Sequence, residues 1–146
     1  MERLYRTEGA RLWRAVMGYS GDREVANDAV AEAFAQVLAR GEAVHEPLPW
    51  LWRSAFRIAA GELKARGRIG PAVAEATYEM PDPVADVVRA LARLSPNQRA
   101  AVILHDYAGL PTAEVAGIMG IASATVRVHV SHARRRLRKQ LEVRDV

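Results

Sequence analysis

The chain has 146 residues, half of them hydrophobic, with no cysteine and with 21 Lys and Arg against 17 Asp and Glu, a formal net charge of +4. That composition fits packed cores rather than disorder, and the lack of cysteine excludes a disulfide framework and thiolate metal sites. There is no run of about 18 apolar residues and no basic stretch leading into an apolar signal core, so the expected compartment is cytoplasmic.

Apolar residues recur at helical spacing along almost the whole chain and no segment alternates as a strand would, which predicts an all-α fold. A first helix is expected from Glu2 to about Tyr19, with Leu4, Leu12, Val16 and Tyr19 near one face and Ser20-Gly21 as its break. Asp22 is placed to cap a second helix, whose stripe of Val25, Ala29, Ala33, Phe34, Val37 and Leu38 stops before Gly41. A loop over Gly41 to Pro47 follows, and Pro49 suits the first turn of a third helix. Leu51, Ala55, Ile58, Ala59 and Leu63 make its inward face, and Arg53, Arg57, Lys64, Arg66 and Arg68 make a basic one.

Gly67, Gly70, Pro71, Pro81 and Pro83 then interrupt the pattern, which predicts a linker between two helical units, 1–68 and 84–146, joined by 69–83. The second unit opens on the stripe Val84, Val87, Val88, Leu91 and Leu94. Ser95-Pro96-Asn97-Gln98 carries a capping serine, a proline at the first helical position and a glutamine three residues after the cap, the signature of a capping box. The helix it starts holds Val102, Ile103 and Tyr107 and should stop at Gly109. Pro111 or Thr112 opens a shorter helix to Met119, Gly120 breaks it, and Ser123 is the expected cap of a last helix with Val126, Val130, Ala133 and Leu137 on its buried face.

Charge is unevenly placed. Residues 72–122 sum to −3, whereas from Ser123 onward seven Arg and Lys face two acids, a net of +5 in 24 residues. Such a concentration suits a polyanion; a solvated helix end whose arginines answer the local dipole has the same count.

A short helix, a glycine turn and a longer helix with a basic outer face is the layout of a helix-turn-helix, whose second helix enters the major groove. Val115, Ile118, Ile121, Val126 and Val130 are expected to hold the two helices together. Ser123, Thr125, Arg127, His129, Ser131 and His132 are then candidates for base edges, and Arg134, Arg135 and Arg138 for phosphates. An enzyme is disfavoured. His45, His105, His129 and His132 show no metal-ligand pairing, and neither a glycine-rich phosphate loop nor a nucleophile motif is present, so no metal, cofactor or small-molecule substrate is expected.

The segment from Val87 to Leu141 resembles region 4 of the sigma-70 family, in particular its extracytoplasmic-function (ECF) group. The resemblance rests on Ala90-Leu91-Ala92-Arg93-Leu94-Ser95-Pro96-Asn97-Gln98-Arg99, Ala108-Gly109-Leu110, Glu114-Val115-Ala116, Met119-Gly120-Ile121, Ala124-Thr125-Val126-Arg127 and His132-Ala133-Arg134-Arg135-Arg136-Leu137. The first unit is similar to sigma region 2 in Leu4-Tyr5-Arg6, Gly21-Asp22-Arg23-Glu24, Asp28 with Glu32 and Phe34, and Trp50-Leu51-Trp52-Arg53.

The resemblance implies a dissociable specificity subunit of RNA polymerase. Region 2 would dock on the beta-prime clamp of the core through Asp28, Glu32 and Phe34 and meet the minus-10 element through His45, Trp50, Arg53, Arg57, Lys64, Arg66 and Arg68. Region 4 would sit on the beta flap and read the minus-35 element of promoter DNA, and an anti-sigma factor is a further implied partner. The chain departs from the family pattern at Arg57 and Gly61 in the third helix, in the short 41–47 loop, at Pro111 before the first helix of the motif, and at Val128 in the recognition helix. These departures leave room for a sigma-like protein without normal promoter melting, and a stand-alone helix-turn-helix regulator is a separate alternative.

Overall fold

The computed structural model describes residues 2–43, 45–67 and 82–144. Arg68, most of the expected linker, and the side chains of Leu4 and Val84, both expected in the core, lie outside the described residues. Seven α-helices are present among those described: α1 (Glu2–Ser20), α2 (Arg23–Arg40), α3 (Pro47–Ala65), α4 (Asp82–Ala92), α5 (Pro96–Val102), α6 (Thr112–Met119) and α7 (Ser123–Arg144). A 3-10 turn, Gly41–Ala43, follows α2, and a π-helical run, Ile103–Tyr107, continues α5. The described residues contain no strand, as the periodicity predicts.

The local signals act where expected. Gly21 adopts φ 66° and its N–H bonds to the Met17 carbonyl at 2.7 Å, closing α1. The Asp22 carboxylate accepts from the Glu24 and Val25 N–H groups, capping α2, a device worth about 1 kcal/mol. At α5 the capping box is complete, with Gln98 N–H donating to Ser95 Oγ at 3.2 Å and Ser95 N–H to Gln98 Oε1 at 3.3 Å. Helix α3 begins at Pro47, where a proline at the first helical position loses no bond, and Pro49 falls in the first turn as expected.

Leu12 and Val16 of α1, Val25, Ala29, Ala33 and Val37 of α2, and Leu51, Trp52, Ala55 and Ala59 of α3 fill the first unit. The alanines let the three backbones approach closely. Two expected core residues turn outward. Leu38, one residue and about 100° beyond the buried Val37, is 60% exposed, and Val87, beside the buried Val88, is 47% exposed. Neither stripe is wide enough to cover both neighbours.

The two units pack on one another, and the buried apolar side chains run as one cluster from α1 to α7. Gly18 permits the approach: a Cβ there would stand 3.3 Å from Leu91 Cδ1 and 3.5 Å from Ile103 Cδ1. Beside it Arg99 is fully buried, with Nε donating to the Tyr19 carbonyl at 2.8 Å, Nη1 to the Leu94 carbonyl at 3.2 Å, and the guanidinium 5.6 Å from the Tyr19 ring centre. Burial lowers the pKa of Arg99 and raises that of Tyr19. Carbonyl acceptors from both units make the buried cation tolerable.

Candidate nucleic-acid interface

Helices α6 and α7 meet at Gly120, which closes α6 in the left-handed conformation (φ 70°, ψ 34°). The N–H groups of Gly120 and Ile121 both bond to the Ala116 carbonyl, at 2.8 and 3.1 Å. Val115 and Ile118 of α6 are buried with Val126, Val130 and Ala133 of α7, so the back of α7 is fixed and its front is displayed. Ser123 is already helical, and the N–H of Val126 bonds to the Ala122 carbonyl, so Ser123 opens α7 rather than capping it.

Thr125, Arg127, Ser131, His132, Arg135 and Arg138 are exposed, whereas Ser123 and His129 are half-buried. Along one flank of α7 runs an open trough of about 530 Å³, lined by Arg127, Arg134, Arg135 and Arg138 with Ser131, Thr112 and His105. Hydroxyl donors and four guanidinium groups on one surface match the phosphates of a nucleic-acid backbone.

Arg134 departs from its expected role. Its Nε donates to Asp106 Oδ2 at 2.8 Å and its Nη2 to Oδ1 at 2.5 Å, a bidentate pair that occupies the guanidinium edge assigned to phosphate. The hydrogen bond from Arg134, opposed by partial burial, holds the Asp106 carboxyl below the usual carboxylate range. Asp106 has no short-range sequence signal. It lies 28 residues away, and it sits in the π-helical run, where Ala108 N–H bonds back to the Ile103 carbonyl. Arg136 is likewise tied to its own chain, donating to the Arg93 carbonyl at 2.7 Å and to Gln98 at 3.1 Å.

The basic residues of α3 do not assemble as one open face. Arg53 reaches Glu114 of α6 at 3.9 Å, and Arg57 donates to the Gly117 carbonyl of α6 at 3.3 Å. Arg66 pairs with Asp22 at 3.3 Å and Glu24 at 3.8 Å, Lys64 is exposed, and Arg68 lies outside the described residues. The sequence shows five cations in helical register; it does not show the carboxylates and carbonyls that α2 and α6 set against three of them. His45 is exposed and Trp50 half-buried, both lining a hollow of about 390 Å³ in which Arg40 stands 5.4 Å over the Trp50 ring. Trp52 is buried and stacked on Phe56.

Asp28 and Glu32 are exposed on α2. Phe34 instead turns inward, buried against Tyr5 with ring centres 5.0 Å apart, because it shares the face of Val30 and Val37. Next to this surface Glu62 is held above the usual carboxylate range, first by burial and then by Asp28, Glu24 and Asp22, which outweigh the nearby Arg66.

A packed helical pair with a glycine turn and a cationic flank defines the class of a helix-turn-helix protein. Residues 85–137 match the family model described as Sigma-70, region 4. The chain is 30% identical to the ECF RNA polymerase sigma factor SigL of Mycobacterium tuberculosis, over 97% of this chain and 89% of that protein. It is also 30% identical to the ECF RNA polymerase sigma factor SigE of Mycolicibacterium smegmatis, covering 96% of this chain but only 61% of that protein. Its fold is similar to that of the sigma factor RpoE from Bartonella quintana, solved in complex with the anti-sigma factor NepR, with a TM-score of 0.76, 24% identity and coverage of 98% and 99%. It is similar in fold to CnrH, solved in complex with the cytosolic domain of CnrY, with a TM-score of 0.73, 20% identity and coverage of 97% and 87%. The chain belongs to the ECF RNA polymerase sigma factors.

Proposed function

We propose that the chain acts as an alternative sigma factor, directing RNA polymerase core to specific promoters by binding rather than by catalysing a reaction. The observation that carries this is the arginine-lined trough on a recognition helix whose back is buried, inside the segment that matches sigma region 4. Helices α6 and α7 take the minus-35 element, with Arg135 and Arg138 on phosphates; Arg127, a base-edge candidate by sequence, is assigned to phosphate beside them because it lines the same flank trough. Residues 1–68 serve the core polymerase, through the exposed Asp28 and Glu32, and the minus-10 element, through His45, Trp50 and the α3 cations once these leave α6.

An anti-sigma factor is a further proposed partner. An apolar groove of about 540 Å³, bordered by Trp13, Met17, Val87, Leu91, Ile103 and Leu137, crosses the junction of the two units and suits an apolar helix. The proposed compartment is the cytoplasm, where polymerase works; no helix among the described residues is long and apolar enough to cross a membrane. The test is association of the purified chain with core polymerase, followed by run-off transcription from a library of promoter fragments. Transcripts that require both chain and core are expected, and failure to associate contradicts the proposal.

A further inference from the structure

Helix α7 is charged along its second half, yet the front of its first half carries no charge. With Val126, Val130 and Ala133 turned to the core, the opposite face is centred on Val128, about 200° from Val126. Ala124, Thr125, Val128, Ser131 and His132 are all exposed there, and Val128 is 51% exposed, a large apolar side chain with no element covering it among the described residues. The cations begin farther along or to the side: Arg127 on the flank, then Arg135 and Arg138.

The first half of a recognition helix is the part that meets base edges, and the charges beyond it grip phosphates. A front built from a methyl, a threonine, a valine, a serine and a histidine lacks the bidentate cation that reads guanine and the carboxamide that reads adenine. Around Val128 it offers methyl groups and single hydroxyls, with the His132 imidazole at its far end. The apolar feature in the major groove is the 5-methyl group of thymine. We infer that Val128 is a specificity-determining residue that packs on a thymine methyl, with Thr125 and Ala124 extending the apolar contact. The occupant is duplex DNA because the flank beside Val128 is cationic, so any surface seated on this front meets the arginine trough at the same time. This inference rests on the minus-35 reading and adds which chemical group of the base is recognised.

The test is selection of randomised duplexes by the full chain assembled with core polymerase, using two libraries, one made with thymine and one with uracil, which lacks only the 5-methyl group. Thymine is expected to be enriched at one or two positions, and the uracil library should lose about fourfold of that preference per position, the worth of one buried methyl. Val128→Ala should lose the same preference in the thymine library and show no further loss in the uracil library, while Val128→Thr, which keeps a branched methyl, should retain part of it. Val128 is exposed, so these variants are expected to unfold at the temperature of the parent chain. Identical selected sequences in the two libraries, or a thymine preference untouched by Val128→Ala, overturn the inference and leave promoter recognition standing. Weaker assembly with polymerase in Val128→Ala, with unchanged selection by the complexes that do form, assigns the residue to a protein contact and also overturns it. No enrichment from either library overturns both this inference and the sigma-factor proposal.

Discussion

Helices α3 and α7 carry similar runs of basic residues and end in different electrostatic states. On α3 and its C-cap, three arginines are met by acceptors of their own chain: Arg53 by Glu114, Arg57 by the Gly117 carbonyl, and Arg66 by Asp22 and Glu24. On α7, Arg127, Arg135 and Arg138 make no hydrogen bond or ion pair among the described residues and border an open trough, while Arg134 and Arg136 are claimed from within. Spacing of cations along a helix therefore does not define a nucleic-acid surface. What decides is whether the neighbouring elements present carboxylates and carbonyls within reach. It follows that Arg53 and Arg57 are open to a polyanion only when the first unit moves away from α6, whereas the trough of α7 is open as it stands.

The largest expected effect is on the junction that keeps α3 occupied. Arg99→Ala removes two charge-assisted bonds, leaves the Tyr19 and Leu94 carbonyls unpaired and opens space beneath Tyr19. A loss of about 3 kcal/mol is expected, roughly 10 °C in Tm, measured by thermal and urea unfolding. A Tm within about 2 °C of the parent contradicts the role given to Arg99.

A smaller effect sharpens the contrast within α7. Asp106→Asn frees Arg134 for phosphate, so duplex affinity should rise and the slope of log K against log salt should steepen by about 0.9. The same variant should lose less than about 1 kcal/mol of stability at neutral pH, because the pair is half exposed. The folded carboxyl is held below its unfolded value, so the stabilisation from Asp106 is present above the ordinary carboxylate range and is lost as pH falls toward the depressed value. The stabilities of parent and variant should converge in acid, and a constant gap across pH contradicts the pairing.

The smallest effect concerns the acidic patch that holds Arg66. Glu62 titrates above its unfolded value, so its penalty is absent in acid and appears as pH rises through the carboxylate range. Glu62→Gln should therefore raise stability slightly at pH 7, by up to about 0.5 kcal/mol, and leave it unchanged at low pH. A destabilised variant at pH 7 means that the ionised carboxylate is needed by Arg66.

Most of the local architecture is legible in the sequence because it is set by residues close together. Asp22, Ser95 with Gln98, and Gly120 each fix a helix boundary through bonds spanning a few residues, and the stripe Val126, Val130, Ala133 states which side of α7 faces inward. Pro49 likewise marks the first turn of α3, which begins at Pro47. The long-range partners are illegible for the complementary reason. Nothing near Arg134 announces Asp106 and nothing near Arg57 announces the Gly117 carbonyl, whereas the inward turn of Phe34 is stated by its place in the stripe with Ala33 and Val37. The uncharged front around Val128 lies between the two cases. Its residues are adjacent on the helix, but its meaning depends on knowing that no other element covers it.

The central claim is that the α7 trough, and not the basic side of α3, is the surface ready for DNA. It is tested most directly by the salt dependence of duplex binding for the chain assembled with core polymerase, comparing the parent with Arg135→Ala/Arg138→Ala and with Arg53→Ala/Arg57→Ala, on a duplex carrying the upstream element alone. The α7 pair is expected to flatten the slope by about 1.8, two phosphate contacts, and the α3 pair to leave it unchanged. An unchanged slope in the α7 variant, or an equal loss in the α3 variant, contradicts the account.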